Sequence, residues 1–254
     1  MTALSVKVLG CSGSYAGPGG ACTGYLLRSA TTTVWVDCGP GTFANLQAEV
    51  ALADLDAVVV SHCHADHCAE LPVVYNAARY YLGMDHLRVL ATEDVRRVTE
   101  AFQTSGDTTD LFEWEIVGDG DTAQIGDIAV RFSATDHPVE TLAMRFDCDG
   151  SSVAYTSDTG RGWSLTELGP EPDLVIGEGT LLEATDDPSI PHISCSLLAK
   201  QANDVGARRL VVTHVPPGSD PADHLAEAAA VFDGPVEVAA TGAVYRTPPR
   251  PAAS

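Results

Sequence analysis

The sequence predicts an α/β fold in which two mixed β-sheets lie face to face with helices on their outer faces. Two observations carry this. Short apolar, β-branched runs alternate with stretches of helical periodicity, and each half of the chain opens on strands and continues into strand–helix units. With 254 residues, 45% of them apolar, the chain has material for one domain with a substantial core. That domain is expected over residues 1–246, with a disordered proline-rich tail at 247–254.

Residues 5–9 read as the first strand, followed by a glycine-rich loop from Gly10 to Gly20. The loop lacks the Lys-Ser/Thr of a P-loop and no helix follows directly, which argues against nucleoside-triphosphate binding. It serves either as a tight connector or as a cradle whose backbone N–H groups, with Ser12 or Ser14, approach a substrate anion. Residues 24–27 and 33–36 form a hairpin-like pair ending at Asp37, which caps a glycine turn or orients a metal histidine; a helix over 43–52 follows. Ala57-Val58-Val59-Val60 is a buried strand, and the apolar residues of 68–82 fit a helix. A strand at 87–90 and a helix at 92–103, with Thr92 as N-cap, close the first half.

The second half starts again with strands at 122–125, 128–134, 142–146 and 153–156. Gly126-Asp127 and Asp149-Gly150 supply the hairpin turns. Strands at 174–176, 210–213 and 236–238 then alternate with helices at 195–205 and 221–232.

Thirty-five acidic residues against fourteen basic ones give a formal charge of −21. That field repels polyanions, and the absence of any basic run argues against extended nucleic-acid binding. A small anionic substrate remains compatible, because metal ions invert the potential inside a site. The first residues offer no apolar signal region and no stretch of about eighteen apolar residues occurs, so no membrane association is expected and a cytoplasmic location is. Seven cysteines without framework spacing fit reduced thiols, and Cys63 and Cys68 read as small buried side chains.

The chemistry concentrates in Ser61-His62-Cys63-His64-Ala65-Asp66-His67, on the connector from a strand to a helix. Only eight histidines occur in the chain, and three of them fall within these residues. Alternation at the strand end aims His62 and His64 the same way, while Asp66 and His67 fall at the helix start and face a second point. Imidazole and carboxylate suit Zn²⁺, with Mn²⁺ or Fe as alternatives. His137, Asp158 and His214 each follow a different strand and supply further ligands.

These residues, in this order and together with Asp37-Cys38-Gly39-Pro40-Gly41-Thr42, resemble the metallo-β-lactamase-fold superfamily of binuclear hydrolases. The resemblance implies an αββα four-layer sandwich holding two Zn²⁺ ions per chain. His62, His64 and His137 would hold one ion, Asp66, His67 and His214 the other, and Asp158 would bridge them. Leu9-Gly10-Cys11-Ser12-Gly13-Ser14 and Pro191-His192-Ile193-Ser194 are similar to the ribonuclease Z branch. The segments 64–68, 155–160 and 213–217 are similar to short actinobacterial-type cyclic-nucleotide phosphodiesterases of that branch. Ser157 stands where glycine is usual, Ser194 where threonine is common, and Glu70 where the ribonuclease group favours glycine. Relatives often pair, which implies a homodimer.

Twenty residues separate His137 from Asp158, too few for the long arm of tRNA-processing relatives. Hydrolysis of a small phosphodiester such as a 3′,5′-cyclic nucleotide is therefore expected; a tRNA 3′ endonuclease and a lactone or β-lactam hydrolase are the alternatives. Asp66 and His192 are the catalytic candidates. His192 lies on a connector before the helix at 195–205, capped by Ser194, and is expected to serve the leaving group. Glu178, just past an apolar strand, is either a strand-end residue or a support for a ligand or His192.

Overall fold

The computed structural model describes residues 4–248. The first sheet contains β1 (Ser5–Gly10), β2 (Gly24–Arg28), β3 (Thr33–Val36), β4 (Ala57–Val60), β5 (Leu87–Ala91) and β6 (Phe112–Ile116) in that order. The second runs from β7 (Thr122–Ile125) through β8 (Ile128–Ala134), β9 (Leu142–Cys148), β10 (Ser151–Tyr155), β11 (Leu174–Glu178) and β12 (Leu210–Thr213) to β13 (Val236–Val238). A last strand, β14 (Val244–Arg246), returns to the first sheet and pairs antiparallel with β1, Tyr245 opposite Val6. Both sheets are mixed: β3 to β6 and β10 to β13 pair in parallel, the remainder antiparallel.

Three buried clusters separate four layers. Val6, Val34, Val59, Phe132, Met144 and Tyr155 pack between the sheets. Trp35, Val58 and Val60 face outward beneath α1 (Thr42–Gln47), α3 (Leu71–Tyr80) and α4 (Glu93–Ala101). Ala154, Val175 and Val212 do the same beneath α5 (Cys195–Asp204) and α6 (Pro221–Ala229). Alternate residues of β3 and β4 thus enter different cores, which is why Ala57–Val60 is apolar throughout. The expected αββα sandwich is the fold observed.

The elements differ from expectation in informative places. The helix read over 68–82 is two pieces, α2 (Ala65–Cys68) and α3, with Pro72 in the first turn of α3 where its missing N–H costs nothing. The helix at 43–52 stops as α1 at Gln47. Thr92 holds the N-cap position of α4, yet its hydroxyl makes no capping bond, whereas Ser194 accepts from the Leu197 N–H as expected. β6 and β14 were not foreseen. Thr247, assigned to the tail, exchanges backbone and side-chain hydrogen bonds with Leu4; residues 249–254 of that tail lie outside the described residues.

Candidate metal centre

The parallel strands deliver their carboxyl ends to one edge of the sandwich. Asp37 follows β3, Ser61 and His62 follow β4, Asp158 follows β10, Glu178 ends β11 and His214 follows β12. Three of the turns that redirect the chain here carry non-glycine residues in the left-handed region: Asp37 (φ 57°), Ser157 (φ 51°) and His214 (φ 61°). Such conformations cost of order 1–3 kcal/mol and persist only where surrounding contacts impose them. The value at Ser157 gives a backbone reason for the glycine usual there. The 37–41 turn packs directly on the histidine-rich loop, because a Cβ at Gly39 would stand 2.0 Å from the Asp66 carbonyl oxygen.

All seven expected ligands meet. Donor atoms of His62, His64, His137 and Asp158 lie within 4.8 Å of one another, as do those of Asp66, His67 and His214. His64 Nδ1 is 3.1 Å from both His62 Nε2 and His137 Nε2. Asp158 spans the two groups. Its Oδ2 lies 3.7 Å from His62 Nε2 and 3.9 Å from His137 Nε2; its Oδ1 lies 3.4 Å from both His67 Nε2 and His214 Nε2. Asp66 Oδ2 completes the second group, 3.2 Å from His214 Nε2 and 3.6 Å from His67 Nε2. Donors sharing a tetrahedral ion at ~2.0–2.1 Å stand ~3.3 Å apart, so these separations fit ion binding. Two buried atoms of these groups, His67 Nε2 and Asp158 Oδ1, have no hydrogen-bond partner among the described residues, which fits atoms that ligate a cation.

Two buried carboxylates set the ring orientations, each by one direct bond and one hydroxyl relay. Asp37 Oδ2 accepts from His67 Nδ1 at 2.8 Å, and also from the Ser61 hydroxyl, whose oxygen faces His62 Nδ1 at 2.9 Å. Glu178 Oε1 accepts from His192 Nδ1 at 3.1 Å, while Oε2 accepts from the Thr180 hydroxyl, 2.8 Å from His214 Nδ1. His137 directs Nδ1 to the Pro191 carbonyl at 3.1 Å. The Nε2 atoms of His62, His67, His137 and His214 are thereby left for a metal. Tyr155 adds a donor to Asp37 at 2.7 Å, and the Ser14 N–H binds Asp66 Oδ2 at 2.8 Å. The glycine-rich loop thus spends this N–H on Asp66, not on a substrate anion. Ser61, Thr180 and Tyr155 were not read from the sequence.

Charge follows geometry. Burial pushes the His62 pKa well down. Burial opposes the His67 charge too, yet Asp158 and Asp37 outweigh it and hold its pKa well above the ordinary value. For Asp158, burial is overcome by the charges of His214 and His67, which keep it ionised. His192 is raised despite burial, through its bond to Glu178 and that carboxylate's charge.

His192 lies where a ring nitrogen comes within 4.8 Å of the Asp158 and His214 donors. Glu70 has a separate role. Its carboxylate accepts from the Gly41 N–H at 2.8 Å, from the Phe43 N–H and from the Thr42 hydroxyl, capping α1, whose own N-cap, Gly41, has no side chain.

The Beta-lactamase superfamily domain matches residues 32–215. Uncharacterized protein Rv1339 of Mycobacterium tuberculosis is 32% identical over 245 residues, covering 93% of this chain and 89% of its own. The probable metallo-hydrolase YhfI of Bacillus subtilis is 30% identical over 251 residues, covering 95% and 99%. Its crystal structure matches with a TM-score of 0.87 at 27% identity, over 97% of this chain and 100% of that one. The short form of human tRNase Z shares the fold with a TM-score of 0.77 at 18% identity, over 96% and 99%. Sequence, sheet order and the geometry at the sheet edge agree: this chain belongs to the metallo-β-lactamase superfamily of metallo-hydrolases.

Proposed function

We propose that the protein is a binuclear zinc phosphodiesterase acting on small phosphodiesters, 3′,5′-cyclic nucleotides among them. The observation that carries this reading is the split of Asp158, one carboxylate oxygen toward each histidine group. His62, His64 and His137 would hold one ion and Asp66, His67 and His214 the other. Bound in this way, two metals supply Lewis-acid stabilisation of phosphoryl charge and lower the pKa of a water toward neutrality.

The protein's own groups do the rest. His192 gives the departing alkoxide its proton. Glu178 keeps the ring oriented and favours its protonated form, and general acid catalysis contributes roughly 10²–10⁴ in rate. Asp66 fixes one ligand site and, beside His214, faces the reacting centre. A compact substrate is supported by the connection from His137 to Asp158, which is occupied by the β9–β10 hairpin turning at Asp149-Gly150, with no arm.

Metal analysis, followed by a panel of bis-p-nitrophenyl phosphate, 3′,5′-cyclic AMP, a tRNA precursor, a lactone and nitrocefin, tests the proposal. About two metal ions per chain and turnover of the first two substrates are expected. Efficient processing of the precursor at physiological salt, or activity confined to the lactone or nitrocefin, would overturn the substrate assignment.

A further inference from the structure

A cavity of about 300 Å³ lies beside the metal centre and shares His137 with it. That volume is at the small end of ligand sites. Pro138, Pro188, Ile190 and Pro191 give it apolar walls, and Arg161 brings a guanidinium. Ile190 is among the exposed large apolar side chains, 38% of its surface open to solvent.

Arg161 is set with care. It stands between Gly160 and Gly162, both pressed onto Asp136, the residue before His137. The Gly160 N–H binds the Asp136 carbonyl at 2.5 Å and the Gly162 N–H binds its Oδ2 at 2.7 Å. A Cβ on either glycine would come within 2.8 Å of Asp136 Oδ2. The segment holding Arg161 is therefore locked to the segment holding a metal-facing histidine. The guanidinium is paired with Asp186, and its side chain remains 43% exposed.

The chemistry of these walls selects a ligand class. With Arg161 already neutralised by Asp186 and the Asp136 carboxylate in the wall, the cavity repels a second phosphate. A paired guanidinium still presents a flat face that stacks on aromatic rings, and spare N–H groups for ring nitrogens or carbonyls. We infer that this cavity seats the neutral planar heterocycle of a nucleotide substrate and that Arg161 selects it through the face of its guanidinium. The inference rests on the phosphodiesterase reading for the scissile group, but the heterocycle site can be tested apart from it.

The test measures kcat/KM for 3′,5′-cyclic AMP and for methyl p-nitrophenyl phosphate, which has no heterocycle, in the wild type, Arg161→Ala, Arg161→Lys and Ile190→Ala. Calorimetric binding of 5′-AMP and ribose 5-phosphate to the same proteins accompanies it. All three variants should lose roughly 5–30-fold on cyclic AMP, with a much smaller loss on the methyl ester, and the preference for 5′-AMP over ribose 5-phosphate should shrink in step. Lysine keeps the ion pair with Asp186 but lacks the flat face, so Arg161→Lys guards against a folding defect in the alanine variant. Equal losses on both substrates, or full retention of the cyclic AMP preference by Arg161→Lys, would overturn the inference. If the wild type cleaves neither ester yet binds 5′-AMP over ribose 5-phosphate in an Arg161-dependent manner, the phosphodiesterase reading fails and the heterocycle site stands. No preference between those two ligands in the wild type overturns the site itself.

Discussion

Asp37 and His67, thirty residues apart in sequence, are joined by a 2.8 Å hydrogen bond from the ring Nδ1 to carboxylate Oδ2. Through the Ser61 hydroxyl the same oxygen also governs His62, so one fully buried carboxylate orients a histidine in each donor group. Asp37→Asn preserves shape but removes the charge and replaces one acceptor oxygen with a donor. Zinc affinity should fall roughly 10–100-fold, the usual cost of losing such an outer partner. Competition against a chelator of known affinity measures it. Unchanged affinity at both sites would mean that the rings are held by packing alone.

In the metal-free protein Asp158 and Asp37 outweigh the burial of His67 and favour its protonated form. Its pKa is raised, so the proton is bound below and around the ordinary imidazole value and leaves only as pH rises through the higher folded value. A metal must displace it, since only a neutral imidazole ligates. Zinc uptake near pH 7 should therefore release about one proton at this site and weaken as pH falls. Calorimetry in buffers of different ionisation enthalpy reads the release directly. Asp37→Asn should reduce it, and a wild-type heat independent of buffer would contradict the argument.

Glu70 caps α1 with three accepted hydrogen bonds at a helix start that has no side-chain cap of its own. Glu70→Ala should cost about 1–2 kcal/mol, the range for losing a good N-cap. For a chain of this length that is a fall in Tm of roughly 2–4 °C. Metal content should be retained, because none of the hydrogen bonds that Glu70 makes involves a donor residue. A stable variant with lost metal would instead place Glu70 in the support of the His62–His67 loop.

The donor set was legible because each member has a local signature. Three histidines and an aspartate crowd one strand end, and His137, Asp158 and His214 each follow an apolar run. The hydroxyl relays were not, since Ser61 links to Asp37 across 24 residues and Thr180 to His214 across 34, and a lone serine or threonine carries no mark of its partner. Edge strands escaped for a different reason. Phe112–Ile116 alternates apolar and acidic residues at the sheet margin, and Val244–Arg246 is only three residues long, recognisable once it pairs with β1. Buried His224 was also passed over; it bonds to the Gly179 carbonyl at 2.8 Å and lies 3.4 Å from Cys195 Sγ, a core arrangement without a sequence pattern.

The Glu178–His192 pair makes the sharpest statement about chemistry. Glu178 is buried, also accepts from the Thr159 N–H at 2.7 Å, and raises the pKa of His192. A raised pKa keeps the imidazolium present to higher pH, so the alkaline limb of kcat on a substrate with a poor leaving group reports its loss. Glu178→Gln removes the charge, lowers that pKa and should move the limb to lower pH while both metals stay bound. His192→Ala should abolish the limb and cost most of the turnover on cyclic AMP, within the roughly 10²–10⁴ expected of a general acid. On bis-p-nitrophenyl phosphate, whose leaving group needs little protonation, the loss should be far smaller. Because a ring nitrogen of His192 comes near the Asp158 and His214 donors, metal analysis of the variant is decisive. Loss of an ion from His192→Ala, or an equal fall on both substrates, would make this residue a ligand or a structural group and remove it from the proton transfer.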